Sequence, residues 1–84
     1  MITIYGKENC AFCTKAKQFA DIRGFKYEYK DVGLAPFMEE LLERSTERPR
    51  SVPQIWVNNN HIGGYNEFVS YVENTSYTGT GHTL

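Results

Sequence analysis

Cys10 and Cys13 stand two residues apart in the stretch Tyr5-Gly6-Lys7-Glu8-Asn9-Cys10-Ala11-Phe12-Cys13, and no other cysteine occurs in the 84 residues. Thiols at this spacing can hold a metal, staple the backbone, or carry electrons by opening and closing a disulfide. A tetrahedral zinc or iron site needs four nitrogen or sulfur ligands. The chain adds only His61 and His82 to the two cysteines, 21 positions apart, so no metal is expected. A structural disulfide over so short a loop removes little chain entropy, and it would not persist in a reducing compartment. The redox reading has a positive argument. The thiolate is the reactive species, and a helix N-terminus offers unpaired N–H groups and about half a positive charge to stabilise it. Cys10, just ahead of a helix, would be the exposed nucleophile. Cys13, one turn in, would attack a mixed disulfide formed on Cys10.

That chemistry requires a helix beginning at the cysteines. Phe12, Ala16, Phe19, Ala20 and Arg23 recur at three- and four-residue spacings, and Gly24 then offers a C-cap. The pattern predicts a helix over 11–23. Before it, Ile2-Thr3-Ile4-Tyr5-Gly6 reads as a buried strand. After it, Phe25, Tyr27 and Tyr29 alternate with Lys26, Glu28 and Lys30, the period of a strand with one polar face. Strand, helix and strand in about 30 residues point to a right-handed parallel βαβ unit.

Pro36 can open a second helix without cost, because its missing N–H has no partner there. Phe37, Met38, Leu41 and Leu42 form its apolar face. The polar stretch 45–51, with Pro49, reads as a loop. Residues 52–58 read as a third strand with Pro53 at its start. Asn58-Asn59-Asn60 then turns the chain into a very short fourth strand at His61-Ile62-Gly63-Gly64, antiparallel to the third. Tyr65, Phe68, Val69 and Val72 mark a third helix. The polar residues 75–84 read as a loosely ordered tail. The expected architecture is α/β, one domain over 1–84 with a four-stranded mixed sheet and three flanking helices.

A formal net charge of −1 argues against general affinity for nucleic acid. All nine Lys and Arg lie at or before Arg50, with Lys7, Lys15 and Lys17 around the cysteines. No run of about 18 apolar residues is present, so no membrane span is expected. The opening residues lack the apolar core of a signal peptide. A cytoplasmic location follows as an expectation, and the Asn74-Thr75-Ser76 sequon is read as chance.

Three separated motifs carry a family resemblance. They are Cys10-Ala11-Phe12-Cys13 after the first strand, Ser51-Val52-Pro53 before the third, and Gly63-Gly64-Tyr65-Asn66-Glu67 into the last helix. In this order, over Met1 to about Glu73, the sequence resembles a glutaredoxin of the thioredoxin-like fold. The resemblance implies a glutathione-dependent thiol–disulfide oxidoreductase with Cys10 and Cys13 as catalytic residues. It implies a cis peptide bond before Pro53, leaving the Val52 N–H and C=O to pair with an extended peptide-like ligand. It implies an anion site at the N–H groups of Asn66 and Glu67 for a carboxylate, with the Glu67 side chain beside an ammonium. Lys7, Phe12, Ser51, Gly64 and Tyr65 would line the same glutathione groove.

The implied partners are glutathione and disulfide-bonded or glutathionylated proteins, with ribonucleotide reductase a client of the family and a monomer the expected state. The chain departs from the family pattern at three places. Ala11-Phe12 stands for the common Pro-Tyr, Ser51 for Thr, and Glu67 for Asp. Two further readings stay open. One is a glutaredoxin-like protein reduced by thioredoxin reductase, against which Lys7 and Glu67 argue. The other is a carrier of a [2Fe–2S] cluster between two subunits, raised by the loss of proline from the cysteine loop.

Overall fold

The computed structural model describes residues 1–45, 49 and 51–77. The elements run β1 (Ile2–Gly6), α1 (Ala11–Ile22), β2 (Tyr27–Asp31), α2 (Ala35–Arg44), β3 (Gln54–Val57), β4 (Asn60–Gly63) and α3 (Tyr65–Thr75). The sheet order is β2-β1-β3-β4. β1 and β2 are parallel, in register from Ile2↔Tyr27 to Gly6↔Asp31. β3 pairs antiparallel with both β1 and β4. The mixed four-stranded sheet and three helices are those the sequence predicts.

The strand period of two sends alternate side chains to opposite faces. Ile2, Ile4, Ile55 and Val57 meet Ala16 and Ala20 of α1 and Phe68 and Val72 of α3 in the larger core. Tyr5, Trp56 and Val32 meet Leu41 of α2 in a smaller one. Small residues on α1 let it lie close to the sheet, and its buried positions are Cys13, Ala16 and Ala20. The apolar face therefore differs from the one predicted. Phe12 is 52 % exposed, and Arg23 caps the helix with its guanidinium over the Phe19 ring. Gly24, at φ +74°, makes the left-handed exit that the C-cap reading requires.

On α2 only Leu41 is buried. Met38, 39 % exposed, and Leu42, 41 % exposed, remain at the surface. The tail also begins later than predicted. Thr75 closes α3, and Tyr77 packs edge-on against Phe25 at 5.2 Å. Residues 78–84 of the expected tail lie outside the described residues. Among the described residues no helix is long and apolar enough to cross a membrane.

On the polar face predicted for β2, Lys26 and Glu28 are exposed, whereas Lys30 is engaged by α2. Lys30 reaches α2, its Nζ donating to Glu40 at 2.6 Å. The buried Tyr5 hydroxyl donates to the same carboxylate and accepts from Arg44 at 3.0 Å. Arg44 also donates to the Asn58 carbonyl at 3.1 Å and lies over Trp56. This network acts beside the buried Leu41 in fastening α2 to the sheet. The Lys30 ammonium first, and then the Tyr5 hydroxyl, hold the Glu40 carboxyl below its ordinary range. A carboxylate stabilised by folding contributes above its unfolded pKa of about 4.3 and loses that contribution as pH falls through its lower folded value. Glu40→Gln should therefore lower the melting temperature at neutral pH. Thermal melts should show the gap to the parent protein closing as pH falls from about 5 to about 3.

Candidate active site

Behind Gly6 the chain leaves the sheet under Tyr29. A Cβ at Gly6 would run into the Tyr29 hydroxyl and ring, so glycine is what allows the tyrosine to lie there. Its hydroxyl donates to the Lys7 carbonyl at 3.2 Å, and the Lys17 ammonium sits 4.1 Å over its ring. Asn9, at φ +57°, reverses the chain and delivers Cys10 as the N-cap of α1. Cys10 Sγ accepts the Cys13 N–H at 3.2 Å. No acidic residue stands in the first turn, so nothing there opposes the positive end of the helix dipole. The two cysteines are joined as a disulfide, with Cα atoms 5.2 Å apart. Their exposure differs. Cys10 is half-buried, whereas Cys13 is fully buried.

The Val52–Pro53 peptide bond is cis, as the resemblance implies. The Val52 carbonyl oxygen lies 3.7 Å from Cys10 Sγ. Among the described residues, neither the N–H nor the C=O of Val52 pairs with another backbone group. Gln54 braces this turn, donating to the Ser51 carbonyl at 2.9 Å, while its side-chain oxygen meets His61 Nε2 at 2.7 Å.

The third piece comes from the β4–α3 junction. Gly63 has φ +122°, a conformation that side chains resist. A Cβ on it would also come within 3.0 Å of the Glu67 side chain. Glu67 folds back over this turn, and its Oε1 accepts the Gly64 N–H at 2.8 Å. The carboxylate therefore caps its own helix, and the first-turn N–H groups of α3 open beside it. Across the gap Phe12 faces Tyr65, with ring centroids 6.2 Å apart.

A groove of about 280 Å³ lies between these pieces, lined by Phe12, Ser51, Val52, Pro53, Gly64, Tyr65, Asn66 and Glu67. It brings together all the ligand-contact residues predicted from sequence except Lys7. Lys7 instead lines an adjoining cavity of about 240 Å³ with Val32, Met38, Leu41, Leu42, Pro49, Ser51 and Val52. Ser51 and Val52 line both spaces, and the Val52 carbonyl is the one 3.7 Å from Cys10 Sγ. The α2 wall of the second cavity is not anticipated by the sequence, which places Met38 and Leu42 only on the apolar face of the helix. The Glu67 cap is likewise missed, although its signal is present in the three-residue spacing from Gly64. Among the described residues, no three His, Cys, Asp or Glu side chains cluster as a metal site.

Known proteins share this fold and sequence pattern. The glutaredoxin family model matches residues 2–62. Glutaredoxin 1 of Escherichia coli strain K12 is 34% identical over 76 residues, covering 83% of this chain and 89% of that protein. The structure of reduced Escherichia coli glutaredoxin superposes with a TM-score of 0.77 at 31% identity, over 89% of this chain and 95% of that one. A buckwheat glutaredoxin–glutathione complex has the same fold, with a TM-score of 0.70 at 21% identity, over 87% of this chain and 68% of that one. Sequence, fold and the disulfide-forming cysteine pair agree, and the chain belongs to the glutaredoxin family of thiol–disulfide oxidoreductases.

Proposed function

We propose that this oxidoreductase draws its electrons from glutathione, with Cys10 as nucleophile and Cys13 as resolving thiol. The observation that carries the assignment is the unequal exposure of the two sulfurs. Only Cys10 borders open space, at a helix N-terminus that stabilises a thiolate. In the reduced protein the Cys10 thiolate attacks one sulfur of a substrate disulfide, forming a new S–S bond and releasing the other sulfur as a thiolate. Cys13 then attacks Cys10 Sγ, freeing the second substrate thiol and leaving the Cys10–Cys13 disulfide. Two glutathione molecules restore the dithiol and leave as one glutathione disulfide. On a glutathionylated protein, Cys10 attacks the glutathione sulfur and the protein thiol departs. A second glutathione then displaces the first from Cys10.

The groove and the adjoining cavity together offer partners suited to each end of this donor. The N–H groups opening α3 receive the carboxylate of the γ-glutamyl residue. The Glu67 oxygen not used in the cap faces its ammonium. The Val52 backbone pairs with the central cysteine, which sets that sulfur against Cys10. Phe12 and Tyr65 wall the groove, and Lys7, at the edge of the adjoining cavity, meets the glycine carboxylate. The buckwheat glutaredoxin was solved as a glutathione complex on this same fold. We extend the reading to a cytoplasmic monomer acting on disulfide-bonded and glutathionylated proteins, ribonucleotide reductase among them.

Two experiments test the assignment. Cys13→Ser should keep deglutathionylation while reduction of protein disulfides by the dithiol route is lost, and Cys10→Ser should lose both. Retention of either activity in Cys10→Ser would refute the roles given to the sulfurs. Separately, turnover is measured with glutathione plus glutathione reductase and with thioredoxin reductase. Glutathione should sustain it, and efficient turnover with thioredoxin reductase alone would overturn the choice of donor.

A further inference from the structure

The cavity beside α2 is more apolar than glutathione requires. Its walls include Val32, Leu41, Pro49 and the exposed Met38 and Leu42. Glutathione, lying with its γ-glutamyl end on α3, reaches this side with a glycine, which has no side chain. The cavity adjoins the catalytic groove, with Ser51 and Val52 lining both. A chain paired with the Val52 backbone would pass beside it.

We propose that this cavity is a specificity pocket for polypeptide substrates, taking an apolar side chain two residues after the substrate cysteine. The position follows from strand geometry. In an extended chain alternate side chains share a face, so when the cysteine points at Cys10 the second residue beyond it also points at the protein. Glutathione ends one residue after its cysteine and has no side chain to place in the pocket. The pocket thus separates two substrate classes that share one pair of sulfurs. This inference rests on the glutathione reading, because that reading fixes the direction of the bound chain.

The test uses mixed disulfides with 2-mercaptoethanol as the leaving thiol, recycled by glutathione and glutathione reductase. The carriers are the acetylated peptides Gly-Cys-Gly-Leu-Gly and Gly-Cys-Gly-Gly-Gly, and glutathione itself. In the parent protein kcat/KM should favour the leucine peptide by about tenfold, equivalent to about 1.4 kcal/mol. In the double variant Met38→Ser, Leu42→Ser that preference should fall to near unity, while turnover of the glutathione carrier stays within about twofold. Both residues are partly exposed, and melting curves on the variant confirm that it is folded. Equal turnover of the two peptides by the parent, or a preference surviving in the variant, would overturn the pocket and leave the glutathione reading intact. Failure to turn over the glutathione carrier would remove both. If the parent self-associates, the substitutions abolish that association and no leucine preference exists, the pocket belongs to a second copy and the proposal fails.

Discussion

One hydrogen bond organises the chemistry of this chain, the Cys13 N–H donated to Cys10 Sγ. Because the sulfur itself caps α1, position 10 must be extended while position 11 is already helical. That requirement sets everything upstream. Asn9 takes a left-handed turn, the Lys7 carbonyl is held by Tyr29, and position 6 must be glycine to leave room for that ring. Downstream, the same bond fixes Cys13 three residues in, on the face of α1 that the sheet buries. The difference in exposure between the two sulfurs is thus a result of helix geometry.

The two faces of the sheet are stabilised differently. Under α1 and α3, close-packed aliphatic and aromatic side chains fill the core, and each fully buried large side chain contributes about 1.5–3 kcal/mol. Under α2 the buried apolar set is small, and Lys30, Glu40, Tyr5 and Arg44 form a connected polar network instead. Such networks depend on geometry more than on area. The helix held in this way is also the one that leaves Met38 and Leu42 uncovered beside the catalytic groove.

Much of this was legible in the residues, for identifiable reasons. Strand alternation at Phe25, Tyr27 and Tyr29 and helical spacing at Tyr65, Phe68 and Val72 report burial directly, so the elements and their order follow. The ligand groove was legible because its residues sit in short motifs at element ends, where backbone conformation limits the choice of residue. Phe12 was read both as part of the α1 apolar stripe and as a groove residue, since spacing alone cannot tell an aromatic ring that packs inward from one that walls a groove; it lies in the groove. Met38 and Leu42 misled for the related reason that helical periodicity shows which side of α2 is apolar, not how far the sheet beneath it extends. Lys7 was assigned to the ligand groove. Its side chain lines the adjoining cavity instead, a distinction set by the path of the chain around Val52.

Glu67 adds a consequence of its own. Its carboxylate already rests on the Gly64 N–H, with Gly63 leaving just the space its methylenes need. A shorter carboxylate would reach less far back over this turn, so the extra methylene that sets this chain apart from the common aspartate closes the helix start on itself. The start of the helix is thereby capped before any ligand arrives. Its rotamer and turn entropy is lost once, during folding, and is not charged again at each encounter. For a catalyst that must release its cosubstrate on every cycle, a preorganised edge favours rapid capture without requiring a tight complex.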